Sequence, residues 1–340
     1  MKQFGPRAEI RDVSFISKYF RPGAVSLVRD LGGAYNLNLL IQAETRRYVL
    51  RVYRPWMTQT RLAQVHAVKN LLAQANFPVP LPLLTLNGEP FLRYNDRLIE
   101  LEPYIHHDGE VDTWERNIIA FSLLGRLHTF LSAQTDKIPL ENPVVSNYGT
   151  PETLLAWMQQ AKEKSIQLDV PIETQEKREA LLLYDEALQL LEPLREHWNR
   201  TKQYLPQHLT HGDYGRGNLL FEQERPVAIL DFDFLRVRER IFEVAYTLYW
   251  WFRKLGPIST VDSWKRAGEL LAAYDKETSM PLTLEERRAL PFEMARVSLY
   301  WIAETQFFPN PAQEVVKHVE KVEDARWIVE HAGWVVDLFA

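Results

Sequence analysis

The sequence predicts an α+β fold in which a small sheet lobe precedes a larger, mostly helical lobe. Up to about residue 101, short apolar runs alternate with turn residues, whereas from Asp112 onward apolar residues recur mainly at helical spacing. The length of 340 residues exceeds one typical domain, and an apolar fraction of 46% is ample for a core. We therefore expect an N-terminal lobe over residues 1–101 and a C-terminal lobe over 102–340, with the chemistry between them.

The N-terminal lobe is predicted to be a sheet with one long helix. Gly32-Gly33 marks a turn between strands, and Asn95-Asp96 is a favourable hairpin turn. The apolar positions of 61–75 have helical periodicity, which ends at Pro78. In order, the predicted elements are a helix over 10–20, a strand from 24 to the glycine turn, strands over 38–42 and 48–53, the helix over 61–75, and strands over 90–94 and 97–101.

The C-terminal lobe is predicted to be helical apart from one strand-rich island, the stretch from His211 to Asp233. Thr150 and Pro151 form an N-cap followed by a first-turn proline, and Pro291 predicts a break within a helix. The expected helices cover 114–133, the segment after Thr150, 175–199, 242–254, 261–278, 284–307 and 312–338.

Composition narrows the possible functions. A net charge of −5 and a pI near 6.0 disfavour a nucleic-acid partner, because such proteins usually carry a basic face. The absence of cysteine excludes disulfides, thiolate catalysis and cysteine-bound zinc. Residues 1–9 contain no apolar signal region, and no run approaches the roughly eighteen apolar residues needed to span a bilayer. We expect a cytoplasmic protein without a membrane partner, and the oligomeric state stays open.

The segment His211-Gly212-Asp213-Tyr214-Gly215-Arg216-Gly217-Asn218 is the most informative part of the sequence. Asp213 precedes Asn218 by five residues, and Asp231 ends a later apolar strand. Phosphoryl transfer needs a carboxylate to orient an attacking hydroxyl and oxygen ligands to hold Mg²⁺ on nucleotide phosphates. This spacing is typical of kinase catalytic loops, although Gly212 stands where kinases have Arg. The alternative, a polar turn before a hairpin, explains the glycines but not the other residues.

With these features placed, the chain resembles the aminoglycoside phosphotransferase superfamily, the protein-kinase-like small-molecule kinases that include choline kinases and type II homoserine kinases. The resemblance extends over 27–251 and is specific at Leu31–Asn36, Tyr48–Val52 and His211–Asp233. It implies the bilobal protein-kinase-like fold, with Asp213 as catalytic base and Asn218 and Asp231 as ligands of Mg²⁺.

The resemblance also implies a nucleotide site between the lobes. Gly32, Gly33 and Asn36 belong to a loop over the phosphates of ATP or GTP, and adjacent glycines do allow close backbone approach. Glu100 and Glu102 fall in the hinge that binds the base through backbone groups.

Arg51 stands where the family has a phosphate-contacting Lys or Arg. The alternative is an exposed strand cation paired with Glu44 or Glu100. The acid that relatives carry on the following helix is missing from residues 61–69.

Three further residues are predicted to contact substrate or phosphate, each with an alternative. Arg216 is expected to reach the transferred phosphate or to pair with an outer acid. Asp233 is expected to contact a second metal ion or a substrate amine, unless it is a solvated turn residue. Glu304 is the predicted partner of a substrate amine.

The sequence thus predicts an ATP- or GTP-dependent kinase that phosphorylates a hydroxyl of a small, amine-bearing molecule such as an aminoglycoside, an amino alcohol or a hydroxy amino acid. The alternative is a non-catalytic pseudokinase that binds nucleotide or a partner. The missing helix acid and Arg51 favour that alternative, whereas the joint presence of a base and two metal ligands disfavours it.

Overall fold

The computed structural model describes residues 7–33, 35–144, 146–167 and 175–339, without the side chains of 253–255. The predicted bilobal α+β fold is confirmed. The N-terminal lobe is an antiparallel sheet with the strand order β1-β2-β3-β5-β4. Its elements are α1 (Ile16–Tyr19), β1 (Val25–Gly32), β2 (Leu37–Ala43), β3 (Arg46–Val52), α2 (Gln59–Gln74), β4 (Leu92–Tyr94) and β5 (Arg97–Pro103).

Local sequence explains most of this lobe. Asn95 and Asp96 have φ values of 44° and 60°, as expected for the tight turn between β4 and β5. Thr58 caps α2 by accepting a hydrogen bond from Arg61 N. The predicted helix over 10–20 is wrong, since α1 has only four residues. Asp12 instead accepts a hydrogen bond from Ser14 N, and such local bonds compete with helix formation.

The C-terminal lobe consists of packed helices around two short two-stranded sheets, β6 with β9 and β7 with β8. The strands are β6 (Gln207–Thr210), β7 (Leu219–Glu222), β8 (Arg225–Ile229) and β9 (Arg236–Glu239). The helices are α3 (Trp114–Ser132), α4 (Pro151–Gln167), α5 (Gln175–Thr201), α6 (Arg240–Leu255), α7 (Val261–Glu277), α8 (Leu284–Glu304), α9 (Pro311–Val315), α10 (Val319–Glu330) and α11 (Ala332–Phe339).

Two helix predictions in this lobe are wrong. Pro291 does not break α8, which continues from Leu284 to Glu304 because residues on both sides of the proline are buried in the core. An interior proline costs about 3 kcal/mol in an isolated helix, so this packing must offset it. The predicted single helix over 312–338 is divided into α9, α10 and α11. Tertiary packing accounts for the last division, since α10 packs on α5 and α8 whereas α11 packs on α7 and α8.

The connection between the lobes is the continuation of β5. This strand runs to Pro103, so the predicted boundary between residues 101 and 102 lies inside it and remains a prediction. The hydrophobic core of the C-terminal lobe also takes up Val65, Val68 and Leu72 of α2. The lobes are thus packed against each other through this helix. In the part of the chain described above, no helix combines the length and apolar character required to cross a bilayer.

Candidate active site

The predicted catalytic loop connects β6 to β7, and its first turn requires glycine. Gly212 has a φ of 92°, in the left-handed region that residues with a side chain avoid. A Cβ atom at this position would lie 2.0 Å from the carbonyl oxygen of Phe234. The arginine that protein kinases carry here would therefore collide with the backbone of the neighbouring loop.

Two buried residues, Glu243 and His211, hold this loop. Glu243 of α6 accepts hydrogen bonds from the backbone nitrogens of His211 (3.0 Å) and Gly212 and is bonded to His128 (2.9 Å). Burial raises the pKa of Glu243, but the hydrogen bond and charge of His128 outweigh it and lower that pKa to about 2. His211 contacts the carbonyl oxygen of Leu230 at 2.9 Å. Both residues therefore have a structural role under the loop.

The carboxylate of Asp213 is fixed by two neighbours. Tyr246 donates its hydroxyl to Oδ1 over 2.5 Å, and Asn218 donates its amide to Oδ2 over 3.0 Å. Burial, followed by the negative charge of Asp231, raises the pKa of Asp213 to about 7. A carboxylate with a pKa near neutrality is suited to accepting a proton from a hydroxyl group.

Asp231 and Asn218 present oxygen atoms beside this carboxylate. Asp231 follows β8 with a φ of 61° and a ψ of 68°, a left-handed conformation that is uncommon outside glycine and often occurs at functional sites. The amide nitrogen of Asn218 bonds to both the carbonyl and the carboxylate of Asp213, which leaves its oxygen for another partner. These two side chains could share a metal ion, provided that other ligands complete its coordination.

Arg51 is neither exposed nor paired with Glu44, and it does not form a salt bridge with Glu100. Its Nη2 lies 2.6 Å from Asp231 Oδ1 and 3.0 Å from Asp233 Oδ1. The interpretation of Asp233 as a solvated turn residue is wrong, because Asp233 is buried and also accepts a hydrogen bond from Asn36 over 2.6 Å. Burial raises the pKa of Asp233 to about 6, against the charge of Arg51.

Helix α2, which lacks the expected acid, instead pairs with acids on β5. Glu100 is bonded to His66 of α2 and to Tyr53, each over 2.6 Å, and Glu102 is bonded to Lys69 of α2. The helix therefore supplies the cations and the strand supplies the carboxylates. Sequence reasoning missed His66 and Lys69. His66 and Lys69 lie about one turn apart on a helix, and Glu100 and Glu102 are separated by one residue on a strand. This matching spacing is the sequence signal that could have predicted the pairing.

The larger of two neighbouring cavities, the interlobe cleft, has a volume of ≈ 420 Å³. Of the predicted nucleotide-binding residues, Gly32, Gly33, Arg51 and Glu102 line this cleft, together with Asn218 and Asp231. Asn36 and Glu100 are instead buried and bonded to Asp233 and to His66. Ala34, within the glycine loop, lies outside the described residues. Arg216 is 4.0 Å from Glu110, an outer acid.

The smaller cavity, the Asp213 pocket, has a volume of ≈ 110 Å³. Glu304, the predicted partner of a substrate amine, lines this pocket, together with residues that the sequence did not single out for the site, among them Tyr35 and Asn147. Asp213 and Asn218 are hydrogen-bonded to each other but line different cavities. The lining residues are Tyr35, Asn147, Asp213, Phe234, Phe242, Tyr246, Val297, Tyr300, Trp301 and Glu304.

The bilobal fold places Asp213 in one cavity and its hydrogen-bond partner Asn218 in the neighbouring one, an arrangement that suits a kinase-like transferase. The family model described as phosphotransferase enzyme family matches residues 26–282, and the chain belongs to this family. Membership of this phosphotransferase family favours the enzyme over the non-catalytic alternative.

Individual relatives are distant. A homoserine kinase of Zymomonas mobilis subsp. mobilis is 24% identical over 282 residues, which cover 81% of this chain and 79% of that protein. An amicoumacin kinase solved with AMP-PNP, Ca²⁺ and Ami has a TM-score of 0.62 at 15% identity, covering 92% of this chain and 93% of its own. A microcompartment-associated aminopropanol kinase also has a TM-score of 0.62 at 15% identity. This match covers 93% of the present chain and 94% of the aminopropanol kinase. These solved structures support the fold.

Proposed function

We propose that this protein transfers the γ-phosphoryl group of ATP, or of GTP, to a hydroxyl group of a small, amine-bearing molecule, with Mg²⁺ bound to the nucleotide. The position of Asp213 carries this proposal. Its carboxylate lines the Asp213 pocket, and its partner Asn218 lines the interlobe cleft beside Asp231. A hydroxyl in the pocket and a phosphate in the cleft would therefore meet at this residue.

In the proposed transfer, one bond to phosphorus forms, one breaks, and the released proton is accepted by Asp213. The acceptor oxygen forms a bond to the γ-phosphorus, the bond between that phosphorus and the bridging oxygen breaks, and the nucleoside diphosphate leaves. The hydroxyl proton goes to Asp213, whose raised pKa favours proton acceptance near neutrality. Tyr246 and Asn218 hold the carboxylate in place during this step.

The residues of the interlobe cleft fit a nucleotide-bound Mg²⁺ ion. In the part of the chain that the structure describes, no group of three His, Cys, Asp or Glu side chains could hold a metal by itself. Mg²⁺ usually takes one or two protein carboxylates and completes its octahedron with phosphates and water. Asp231 and the Asn218 oxygen match that requirement. When bound, Mg²⁺ supplies positive charge against the phosphate oxygens.

Phosphate contacts come from the N-terminal lobe in this proposal. Gly32 and Gly33 have φ values of 88° and 111° and line the interlobe cleft, so backbone nitrogens can approach phosphate there. Arg51 lines the same cleft and offers a guanidinium that can bind phosphate through two hydrogen bonds. The amicoumacin kinase of similar fold, which was solved with AMP-PNP, supports the choice of a nucleoside triphosphate.

Thermal unfolding with and without ligands tests this proposal. A ligand that binds only the native state stabilises it by about 2.7 kcal/mol at a concentration 100 times its dissociation constant. Mg²⁺ and ATP together should raise Tm more than either alone, and GTP should be compared in parallel. The variant Asp231→Asn should keep its fold but lose most of the Mg²⁺-dependent increase. An unchanged Tm with millimolar ATP or GTP and Mg²⁺ would contradict the nucleotide site.

A further inference from the structure

Arg51 lies between two carboxylates with different surroundings. Its Nη2 is 2.6 Å from Asp231 Oδ1 and 3.0 Å from Asp233 Oδ1. The Asp231 side chain is 29% exposed and lines the interlobe cleft together with Arg51. The Asp233 side chain is only 4% exposed and lines neither this cleft nor the Asp213 pocket. Asp231 can therefore meet a ligand in the cleft, whereas Asp233 is enclosed by protein.

Asp233 is bonded to the N-terminal lobe on every side that carries an oxygen atom. Oδ1 contacts Arg51, and Oδ2 accepts a hydrogen bond from Asn36 Nδ2 over 2.6 Å. Asn36 accepts a hydrogen bond from the backbone nitrogen of Arg54 over 3.2 Å. The backbone carbonyl of Asp233 accepts a hydrogen bond from Arg61 Nη2 of α2 over 3.1 Å. These bonds fix the Asp233 carboxylate relative to the lobe that carries Arg51.

The other acids close to Arg51 have partners of their own. Helix α2 contains no Asp or Glu. The two acids of β5, Glu100 and Glu102, are bonded to side chains of α2. In the part of the chain that the structure describes, the salt bridges of Arg51 are those with Asp231 and Asp233. Orientation of Arg51 by a carboxylate therefore depends on these two residues.

A metal ion and Arg51 would compete for the same oxygen atom. In the proposed function Asp231 binds the nucleotide-bound Mg²⁺, and Asp231 Oδ1 is now bonded to Arg51. The Nε donor of Arg51 is buried without a hydrogen-bond partner among the described residues, so Arg51 has a donor for a further acceptor. An arginine without any carboxylate partner loses its fixed geometry, and the entropy of ordering it again weakens phosphate binding. A second carboxylate that keeps hold of the guanidinium prevents this loss.

Resting on the proposed function, we infer that Asp233 is a positioning residue for Arg51 and not a ligand of the metal ion. Mg²⁺ takes over Asp231, Asp233 retains Nη2 of Arg51, and the remaining guanidinium donors bind phosphate oxygens of the nucleotide. Asn36 holds the other oxygen of the Asp233 carboxylate. The acid that orients the phosphate-binding cation thus comes from the segment after β8 and not from α2.

The variant Asp233→Asn tests this role, because it keeps the shape of the side chain and removes its charge. Calorimetry measures the dissociation constants of ATP with Mg²⁺ and of adenosine, with GTP and guanosine in parallel. A lost hydrogen bond to a charged group changes affinity by about 10- to 10²-fold. We expect the affinity for the triphosphate to fall by about this factor. The affinity for the nucleoside should stay unchanged, because a nucleoside has no phosphate for Arg51 to bind.

A double-mutant cycle with Arg51→Met separates positioning from metal binding. If Asp233 acts only through Arg51, adding Asp233→Asn to Arg51→Met should change the triphosphate affinity by no more than about twofold. A metal ligand would instead produce a similar loss of affinity in both backgrounds. The cycle therefore distinguishes the two roles by binding alone, without a measurement of turnover.

Asp275→Asn is the matched control for the loss of an aspartate charge. Asp275 forms an ion pair with Arg287, its side chain is 14% exposed, and it lines neither the interlobe cleft nor the Asp213 pocket. This control should keep the wild-type affinities for triphosphate and nucleoside. Asn36→Ala is a second test that keeps both acids, and it should lower the triphosphate affinity by a smaller factor than Asp233→Asn. Thermal unfolding verifies that each variant is folded.

The outcomes separate this inference from the proposed function. If the wild type binds neither triphosphate with Mg²⁺ more tightly than its nucleoside, the phosphate site fails and this inference fails with it. If the wild type shows that difference and Asp233→Asn keeps it, Asp233 does not position Arg51, and the proposed function stands. Equal losses in both backgrounds of the cycle would assign Asp233 to the metal ion and overturn the inference. Should Asp233→Asn not fold, wild-type affinities in Asn36→Ala would overturn it instead.

Discussion

Arg51 of β3 donates a hydrogen bond to Asp231 Oδ1 over 2.6 Å, which joins the sheet lobe to the predicted metal ligand of the helical lobe. The Arg51 side chain is 11% exposed, so its removal would leave the charges of Asp231 and Asp233 without their cation. We predict that Arg51→Met lowers the free energy of unfolding by about 3–5 kcal/mol, as in other buried ion pairs that lose one partner. Urea unfolding measures this loss.

The stability of the Arg51→Met variant should increase when Mg²⁺ is added. Because a bound cation can replace the missing charge, millimolar Mg²⁺ should restore part of the stability of Arg51→Met and change that of the wild type less. Arg46→Met, at an exposed position of the same strand, is the control and should change stability by no more than about 0.5 kcal/mol. An Arg51→Met variant as stable as this control would show that the ion pair contributes nothing.

A second contact between the lobes joins Asn36 Nδ2 to Asp233 Oδ2 over 2.6 Å, and both side chains are buried. Hydrogen bonds to charged groups contribute about 1.5–3 kcal/mol, so Asn36→Ala and Asp233→Ala should show a coupling energy of this size in a double-mutant cycle. Chemical unfolding of the two single variants and the double variant gives the value. Additive effects, within about 0.3–0.5 kcal/mol, would contradict a direct interaction.

The two glycines of the catalytic loop should differ sharply in their tolerance of alanine. At Gly212 a methyl group would meet the carbonyl oxygen of Phe234 at 2.0 Å, and φ is 92°. We predict a loss of at least about 3 kcal/mol for Gly212→Ala, from collision and from the left-handed backbone. Gly217 has nothing within 4 Å of its ideal Cβ, so Gly217→Ala should be tolerated. Equal unfolding free energies for both variants would refute this explanation.

Acid should destabilise the protein through His208. Burial, followed by the charge of His128, lowers the pKa of His208 to about 3, whereas an unfolded histidine titrates near 6.5. The unfolded chain therefore binds a proton that the folded chain excludes, and stability falls as the pH drops below 6.5. Between pH 7 and 5 this one group should cost about 2 kcal/mol. His208→Asn should reduce the pH slope, and a slope identical to that of the wild type would exclude His208 as its source.

The elements that local chemistry specifies could be predicted from the sequence. The hairpin at Asn95-Asp96, the cap at Thr150 and the loop from His211 to Asn218 depend on residues close together in the chain, and the structure has all three. Glu304 lines the same pocket as Asp213, and its predicted contact with a substrate amine stays a prediction.

The features that were missed depend on pairing between distant segments. The pairing of Arg51 with Asp231 spans 180 residues of sequence, and nothing local to either residue specifies it. Similarly, Lys69 of α2 pairs with Glu102 of β5. This pairing depends on which faces of the helix and the strand meet, and the local sequence does not specify that. Tyr35 was not recognised as a pocket residue, because its contribution depends on how the first lobe closes over the second.

The variant Asp213→Asn tests the proposed role of Asp213 as the catalytic base. Turnover of the best acceptor and the affinity for Mg²⁺ and ATP should be measured on the same preparations, so that misfolding cannot imitate a catalytic loss. We predict a turnover lower by about 10²–10⁴-fold with nearly unchanged nucleotide affinity, because the carboxylate lines the pocket and not the cleft. A variant that keeps wild-type turnover would show that Asp213 is not the base.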